Sequence, residues 1–230
     1  MKVVILAGGK GTRISEYTKT IPKPMIKIGP KPIIEHIINH YKKYDFNEFI
    51  IAAGYKSSIL KKYFNKKKYS NIKVVDTGIE TLTGKRIKKL EKYLKNETFM
   101  LTYGDGLTNL NLKKLFNFHK KNQKISTMTI VHPPARFGEV ECENRLIKSF
   151  KEKPQLQKGW INGGYFVFEP NFFKILNNKN IMLEREPIQK LVKKKQLAAF
   201  KHNSFWYCMD NLRDKEILEK LNKRKIPPWE

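Results

Sequence analysis

Residues 3–13, Val3-Val4-Ile5-Leu6-Ala7-Gly8-Gly9-Lys10-Gly11-Thr12-Arg13, constrain the fold of this chain more than any other stretch. The opening apolar residues read as a short buried strand. Gly8, Gly9 and Gly11 then allow a turn whose backbone comes close to a ligand with no Cβ in the way. Successive peptide N–H groups in such a turn converge on an anion, and Arg13 adds a planar fork of donors suited to phosphate. A strand running into a glycine-rich, basic loop predicts a nucleoside triphosphate site. Two better-known glycine motifs are excluded. No Gly-Lys-Ser/Thr follows at P-loop spacing, and the place of the third glycine in the dinucleotide fingerprint is taken by Ile14.

Beyond the loop, strand-like and helix-like stretches alternate. Strands are expected at 2–7, 49–53, 72–75, 99–103, 126–132, 140–150, 160–168 and 198–201. Helices are expected at 32–44, 59–64, 86–94, 112–121, 170–177, 185–195 and 212–223. That alternation predicts an α/β fold with a largely parallel, twisted central sheet. Ligands of such sheets lie beyond the carboxyl ends of the strands. The glycine loop and the Gly104-Asp105-Gly106 turn both follow strands directly, so they are expected to meet at one edge. Residues 1–230 read as a single domain, since no Pro/Gly/Ser-rich linker interrupts them.

Composition bounds the rest. Forty per cent of residues are hydrophobic, enough for a sizeable core, and no run reaches the ~18 apolar residues of a membrane span. The chain enters a strand at once with no signal segment, and two cysteines, Cys142 and Cys208, make no disulfide framework. A cytoplasmic setting is expected. The formal charge of +26 comes from 47 Lys and Arg against 21 Asp and Glu. The basic residues are scattered along faces that would meet water, so no specific nucleic-acid surface is expected. A positive field that gathers small polyphosphates is the simpler consequence. The five histidines show no metal-ligand spacing with the cysteines. His36 and His40 share a helix face and read as structural or solvent-facing.

Pro22-Lys23-Pro24 follows the glycine loop about ten residues on. Further along come Asp76-Thr77-Gly78, Thr83-Gly84-Lys85-Arg86, Tyr103-Gly104-Asp105-Gly106, Pro133-Pro134-Ala135-Arg136-Phe137-Gly138 and Phe150-Lys151-Glu152-Lys153-Pro154. Ile161-Asn162-Gly163-Gly164, Glu184-Arg185-Glu186-Pro187 and Phe205-Trp206-Tyr207-Cys208-Met209-Asp210-Asn211-Leu212-Arg213-Asp214 complete the series. In this order the motifs resemble the sugar-phosphate nucleotidyltransferases along the whole chain. The last run is most similar to the cytidylyl-transferring branch. The resemblance implies a Rossmann-like, glycosyltransferase-A-like nucleotidyltransferase fold with an inserted sugar-binding part. It also implies CTP and a sugar 1-phosphate, glucose 1-phosphate first, as substrates, Mg²⁺ as cofactor, and association into a homo-oligomer.

The resemblance assigns roles residue by residue. Arg13 would stabilise the leaving pyrophosphate, and Lys23 would grip the phosphates across the reacting bond. Asp105, a carboxylate in a turn of little bulk at a strand end, suits Mg²⁺, and Asp210 would be the second ligand. Leu6, Ala7, Gly8, Gly9, Lys10, Gly11 and Thr12, with Thr81, Thr83, Arg86 and Gly104, would line the nucleotide. Arg86 also reads as an exposed arginine beginning a helix. Gly138, Glu152, Lys153, Asn162 and Glu184 would hold the sugar phosphate. A phosphate monoester is largely a dianion near neutral pH, so the attacking oxygen needs no side-chain base. No Ser-His-Asp or Cys-His arrangement is apparent to supply one.

The chain departs from the family pattern at several places. The segment from Phe64 to Val74 is short, Ile21 and Lys85 replace other residue types, and Tyr207-Cys208 stands where Gln-Pro is usual. The acceptor, the nucleotide (UTP, dTTP or GTP instead of CTP), the oligomeric state and a non-catalytic regulatory role stay open at this point.

Overall fold

A computed structural model describes residues 1–66, 69–133, 139–143, 145–151 and 159–230. In chain order the strands are β1 (Lys2–Ala7), β2 (Lys27–Ile28), β3 (Lys31–Pro32), β4 (Glu48–Ala53), β5 (Ile72–Asp76), β6 (Phe99–Tyr103), β7 (Gly106–Thr108), β8 (Ser126–Val131), β9 (Glu139–Glu143), β10 (Leu146–Lys151), β11 (Ile161–Phe168), β12 (Leu197–His202) and β13 (Trp206–Cys208). The helices are α1 (Ser15–Thr18), α2 (Ile33–Lys42), α3 (Ser57–Phe64), α4 (Thr83–Lys88), α5 (Glu91–Leu94), α6 (Leu112–Asn122), α7 (Glu186–Lys193) and α8 (Leu212–Asn222).

Seven strands form the central sheet in the order β12-β8-β11-β6-β1-β4-β5. The pairs β1–β4, β4–β5, β1–β6 and β8–β12 are parallel, and β11 runs antiparallel to both of its neighbours. β1 sits inside the sheet, and its side chains alternate between two cores. Val3, Ile5 and Ala7 pack on one face with Ile33, Ile37 and Tyr41 of α2. Val4 and Leu6 pack on the other with Ile87, Leu90 and Leu94. An unbroken apolar strand is what a sheet covered on both sides requires.

The chain winds outward from β1 through β4 to β5, then returns to lay β6 on the opposite side of β1. The crevice between the carboxyl ends of β1 and β6 is the switch point where open α/β sheets bind ligands. The largely parallel α/β sheet is as expected. The differences are local. The helix expected over 86–94 is two, α4 and α5, broken at Lys89–Leu90, where Leu90 turns wholly into the core. The stretch 170–177 holds only a 3₁₀ turn at Pro170–Lys174. The strand-like stretch 140–150 is a hairpin, β9–β10. β7 and β13 are additional to the expected strands. They pair with each other outside the main sheet, with Cys208 opposite Gly106.

His36 and His40 are structural: both are buried, and their Nε2 atoms bond to the carbonyls of Ile28 and Leu110 at 2.9 Å. Burial pushes the His40 imidazole from 6.5 down to about 4, and lowers His36, His119 and His202 as well. The unfolded chain therefore binds more protons than the native one between these values, and stability falls as pH drops through that window. His40 alone should cost about 2 kcal/mol on going from pH 7 to pH 5. Melting temperatures across that range should decline steadily. A flat profile would show that the histidines are already protonated in the fold.

Candidate active site

The site is built from the ends of β1 and β6 and from the small β7–β13 ladder. Leaving β1, the chain places Gly8 directly against the Arg86 guanidinium; a Cβ there would fall 2.0 Å from Arg86 Nη1. Only a glycine lets the loop pass this close. Gly9 faces open space. Arg13 follows in a short 3₁₀ turn and is largely exposed. Pro22 and Pro24 flank Lys23, holding it in a second 3₁₀ turn with its side chain buried.

Across the crevice, β6 ends at Tyr103 and hands on to Gly104 and Asp105. The Gly104 N–H donates to the Leu6 carbonyl at 3.0 Å, tying the two strand ends together. β7 then pairs with β13, and the Met209 N–H donates to the Asp105 carbonyl at 2.9 Å. Asp210 is thereby carried to Asp105 from 105 positions away. Its backbone is held by a capping box at the start of α8. The Asp214 carboxylate accepts from the N–H groups of Asp210 and Asn211 at 2.9 and 3.1 Å, and Asn211 Oδ1 accepts from the Asp214 N–H at 3.1 Å. The Asp-Asn-Leu-Arg-Asp run is thus a helix start that positions an acid. Asn211→Ala should cost about 1 kcal/mol of stability and also lower catalytic activity, because a loosened helix start loosens the Asp214 carboxylate that holds the Asp210 N–H. Chemical denaturation and steady-state rates on one preparation check both.

The Lys23 ammonium lies between the two acids, 2.6 Å from Asp105 Oδ2 and 3.1 Å from Asp210 Oδ1. Burial works against its charge, but the two carboxylates outweigh burial and hold its pKa above the ordinary lysine value. Arg13 Nη1 bonds the other oxygen of Asp210 at 2.9 Å. Two oxygen-donor acids already sharing one cation fit a hard divalent ion, which binds through one or two carboxylates plus phosphate oxygens.

One cleft of ≈ 470 Å³ collects most of the expected residues: Leu6, Ala7, Gly8, Gly9, Gly11, Arg13, Lys23, Thr83, Arg86, Gly104, Asp105, Asn162 and Asp210. This is the size of an ordinary small-ligand pocket. Lys10 and Thr12 are exposed beside it, and Lys10 pairs with Glu80 at 2.6 Å. The Thr81 hydroxyl is turned inward, donating to the Thr77 carbonyl at 2.6 Å. Arg86 is not an exposed helix-start arginine. It is 3% exposed and donates to the carbonyls of Ala53 (2.7 Å), Thr81 (2.5 Å) and Gly8 (3.4 Å) and to the Thr77 hydroxyl. It fastens the glycine loop to the 77–83 segment. Gly138, Glu152 and Lys153 lie outside the described residues.

Four further residues, Tyr103, Gly164, Trp206 and Cys208, shape the site. Tyr103 donates its hydroxyl to Glu184 Oε1 at 2.5 Å and accepts from Asn162 Nδ2 at 3.3 Å. Glu184 also accepts from the Thr83 hydroxyl at 2.7 Å, so it joins the α4 side of the cleft to the Asn162 side. Gly164 takes a positive φ of 78° beneath the Tyr103 ring, where a Cβ would clash at 2.6 Å. Trp206 Nε1 donates to the Gly163 carbonyl at 2.7 Å. Cys208 lines the cleft beside the acids, with Sγ 3.8 Å from Asp210 Oδ1. Each lies in a motif that carries the resemblance, but nothing local in the sequence shows what its side chain or backbone touches.

The architecture is an α/β sheet whose switch point carries a glycine-rich loop faced by two acids and a buried lysine. The chain spans 98% of itself and 99% of a solved UDP-glucose pyrophosphorylase bound to UDP-glucose, at a TM-score of 0.77 and 21% identity, so the two share a fold. The Nucleotidyl transferase family matches residues 2–214, and the chain belongs to that family. It is 40% identical to a glucose-1-phosphate cytidylyltransferase of Salmonella typhi, over all of this chain and 98% of that one. A Bacillus subtilis protein described as a probable glucose-1-phosphate cytidylyltransferase is also 40% identical, over 97% of this chain and 95% of the relative. Transfer of a nucleotide to a sugar 1-phosphate is the chemistry of the family, generally with a divalent metal. No helix among the described residues is long and apolar enough to cross a membrane.

Proposed function

We propose that this chain transfers the cytidylyl group of CTP to glucose 1-phosphate, giving CDP-glucose and pyrophosphate with Mg²⁺. The observation that carries the reading is the Lys23 ammonium shared by Asp105 and Asp210 at the mouth of the glycine loop. Full-length similarity to cytidylyltransferases points to CTP as the donor.

In this reading a dianionic sugar-phosphate oxygen attacks the α-phosphorus of CTP. The new O–P bond forms as the bond to the β-phosphate oxygen breaks, and pyrophosphate leaves in line. The site's task is positioning and charge neutralisation. Asp105 and Asp210 would hold Mg²⁺, which supplies charge neutralisation at the phosphate oxygens. Lys23, already fixed by two prolines, bridges the phosphates of the two substrates. Arg13 leaves Asp210 for the departing pyrophosphate, as its exposure allows. N–H groups of the Gly8–Gly11 loop cradle the triphosphate, and Arg86 holds that loop in shape from behind. Glu184, set by the Tyr103 hydroxyl, accepts from sugar hydroxyls and the Asn162 amide donates to them, with Gly138, Glu152 and Lys153 proposed for the acceptor side.

Pyrophosphate release should be followed with Mg²⁺ and glucose 1-phosphate across CTP, UTP, dTTP, GTP and ATP. Release with CTP far above the other four is the expected result. Release with a different donor would reassign the base pocket, and silence with all five would remove glucose 1-phosphate as acceptor.

A further inference from the structure

The acids of the site have a neighbour that suits them poorly if the only ion to be held is a hard one. Cys208 lies in β13, opposite Gly106, and that register turns its thiol into the cleft beside Asp105 and Asp210. One donor atom from each of Asp105, Cys208 and Asp210 lies within 4.8 Å of the others, and Cys208 Sγ is 3.8 Å from Asp210 Oδ1. Two ligand atoms on one tetrahedral zinc, with bonds of about 2.0–2.3 Å, stand roughly 3.3–3.8 Å apart. The trio therefore needs only small side-chain adjustments to close on one ion. A cation is accommodated there already, since the Lys23 ammonium contacts both acids.

We propose that Asp105, Cys208 and Asp210 form a mixed carboxylate–thiolate site that gives this chain affinity for thiophilic divalent cations such as Zn²⁺, Cd²⁺ and Co²⁺. Magnesium has little use for sulfur, whereas thiolate is a preferred ligand of these softer ions. Binding forms a metal–sulfur bond and releases the thiol proton to solvent. The entering ion displaces the Lys23 ammonium, which stays protonated. Two carboxylates, a thiolate and a dication carry one net negative charge, and Lys23 remains beside them as the balancing cation. The site thus offers a second, softer occupant where catalysis wants a hard one, so a thiophilic ion excludes the hard ion from the same acids. The proposal rests on reading Asp105 and Asp210 as the metal-holding pair, and its test separates the two.

The full-length protein, stripped of metal, is titrated with Co²⁺ while sulfur-to-cobalt charge-transfer absorption is recorded in the near ultraviolet. The band should appear in the parent chain and in Cys142→Ser, which removes the exposed thiol. It should vanish in Cys208→Ser, with Co²⁺ affinity reduced at least about tenfold and Mn²⁺ affinity, read by electron paramagnetic resonance, little changed. Absence of the band from the parent chain overturns the proposal, as does its survival in Cys208→Ser. Mn²⁺ binding that is lost in Asp105→Asn would in that event leave the carboxylate pair standing. Mn²⁺ binding indifferent to Asp105→Asn would remove the pair itself. If Cys208→Ser fails to fold, alkylation of Cys208 in the Cys142→Ser chain gives the answer. Cd²⁺ should slow it at least about tenfold, and an unchanged rate overturns the proposal.

Discussion

Asp105→Asn should lower the rate of pyrophosphate release by at least about a hundredfold to a thousandfold, the range seen when one preorganised charge-stabilising group is removed from a transition state. The substitution keeps the shape of the turn and removes one negative charge. Asp105 is a turn residue whose carbonyl, not its side chain, carries the bond to the Met209 N–H. The β7–β13 ladder should therefore survive, and the circular dichroism spectrum should match the parent. Lys23 would keep Asp210 as a partner at 3.1 Å. The substitution thus separates a role in catalysis from a role in holding Lys23. Single-turnover rates with saturating CTP and glucose 1-phosphate decide the matter. A variant within a few-fold of the parent would show that Asp105 serves only as the counter-charge of Lys23.

Arg86→Met should be among the most destabilising single changes in the chain, at about 3–5 kcal/mol. It strips a charged donor from a buried cluster of acceptors, and a hydrogen bond to a charged group is worth about 1.5–3 kcal/mol. The Thr77 hydroxyl and the Thr81 carbonyl would lose the guanidinium as donor, and the carbonyls of Ala53 and Gly8 would each lose one of their donors, keeping the N–H groups of Thr77 and Tyr55. The methionine fills much of the volume, so the loss reports hydrogen bonding more than a cavity. Both stability and the KM for CTP should deteriorate, because the glycine loop and the 77–83 segment lose their common tether. Urea denaturation alongside nucleotide kinetics tests this. An unaltered midpoint with a raised KM would mean that Arg86 acts only by touching the nucleotide.

These two residues differ in how far the amino-acid sequence announced them. Asp105 was legible as a carboxylate in a strand-end turn, although Asp-Gly is also an ordinary turn pair, and the resemblance rather than its neighbours pointed to a metal. The glycine loop was equally legible, because its strand, turn and arginine lie within eleven consecutive positions. Arg86 was ambiguous. At the start of an amphipathic segment an arginine normally faces water, and nothing local says that four acceptors from three other segments will surround it. Tyr103 and Glu184 are 81 residues apart, and their hydrogen bond leaves no mark on either neighbourhood. β7 and β13 have three residues each, too few to show a period of two. Their pairing nonetheless brings Asp210 and Cys208 to Asp105. The split of the 86–94 helix escaped for a related reason: Ile87, Leu90 and Leu94 keep helical spacing through the break.

The sequence by itself determined the α/β class, the burial of β1, the glycine loop that follows it and the presence of both acids. Each of these is carried by residues close together in the chain, where backbone sterics and apolar periodicity act. Only the tertiary structure decided that the two acids share one lysine, that a thiol stands beside them, and that a buried arginine underpins the loop. Those arrangements depend on which strand ends meet across the switch point of the sheet, and on electrostatic partners whose energies matter only once water has been excluded between them.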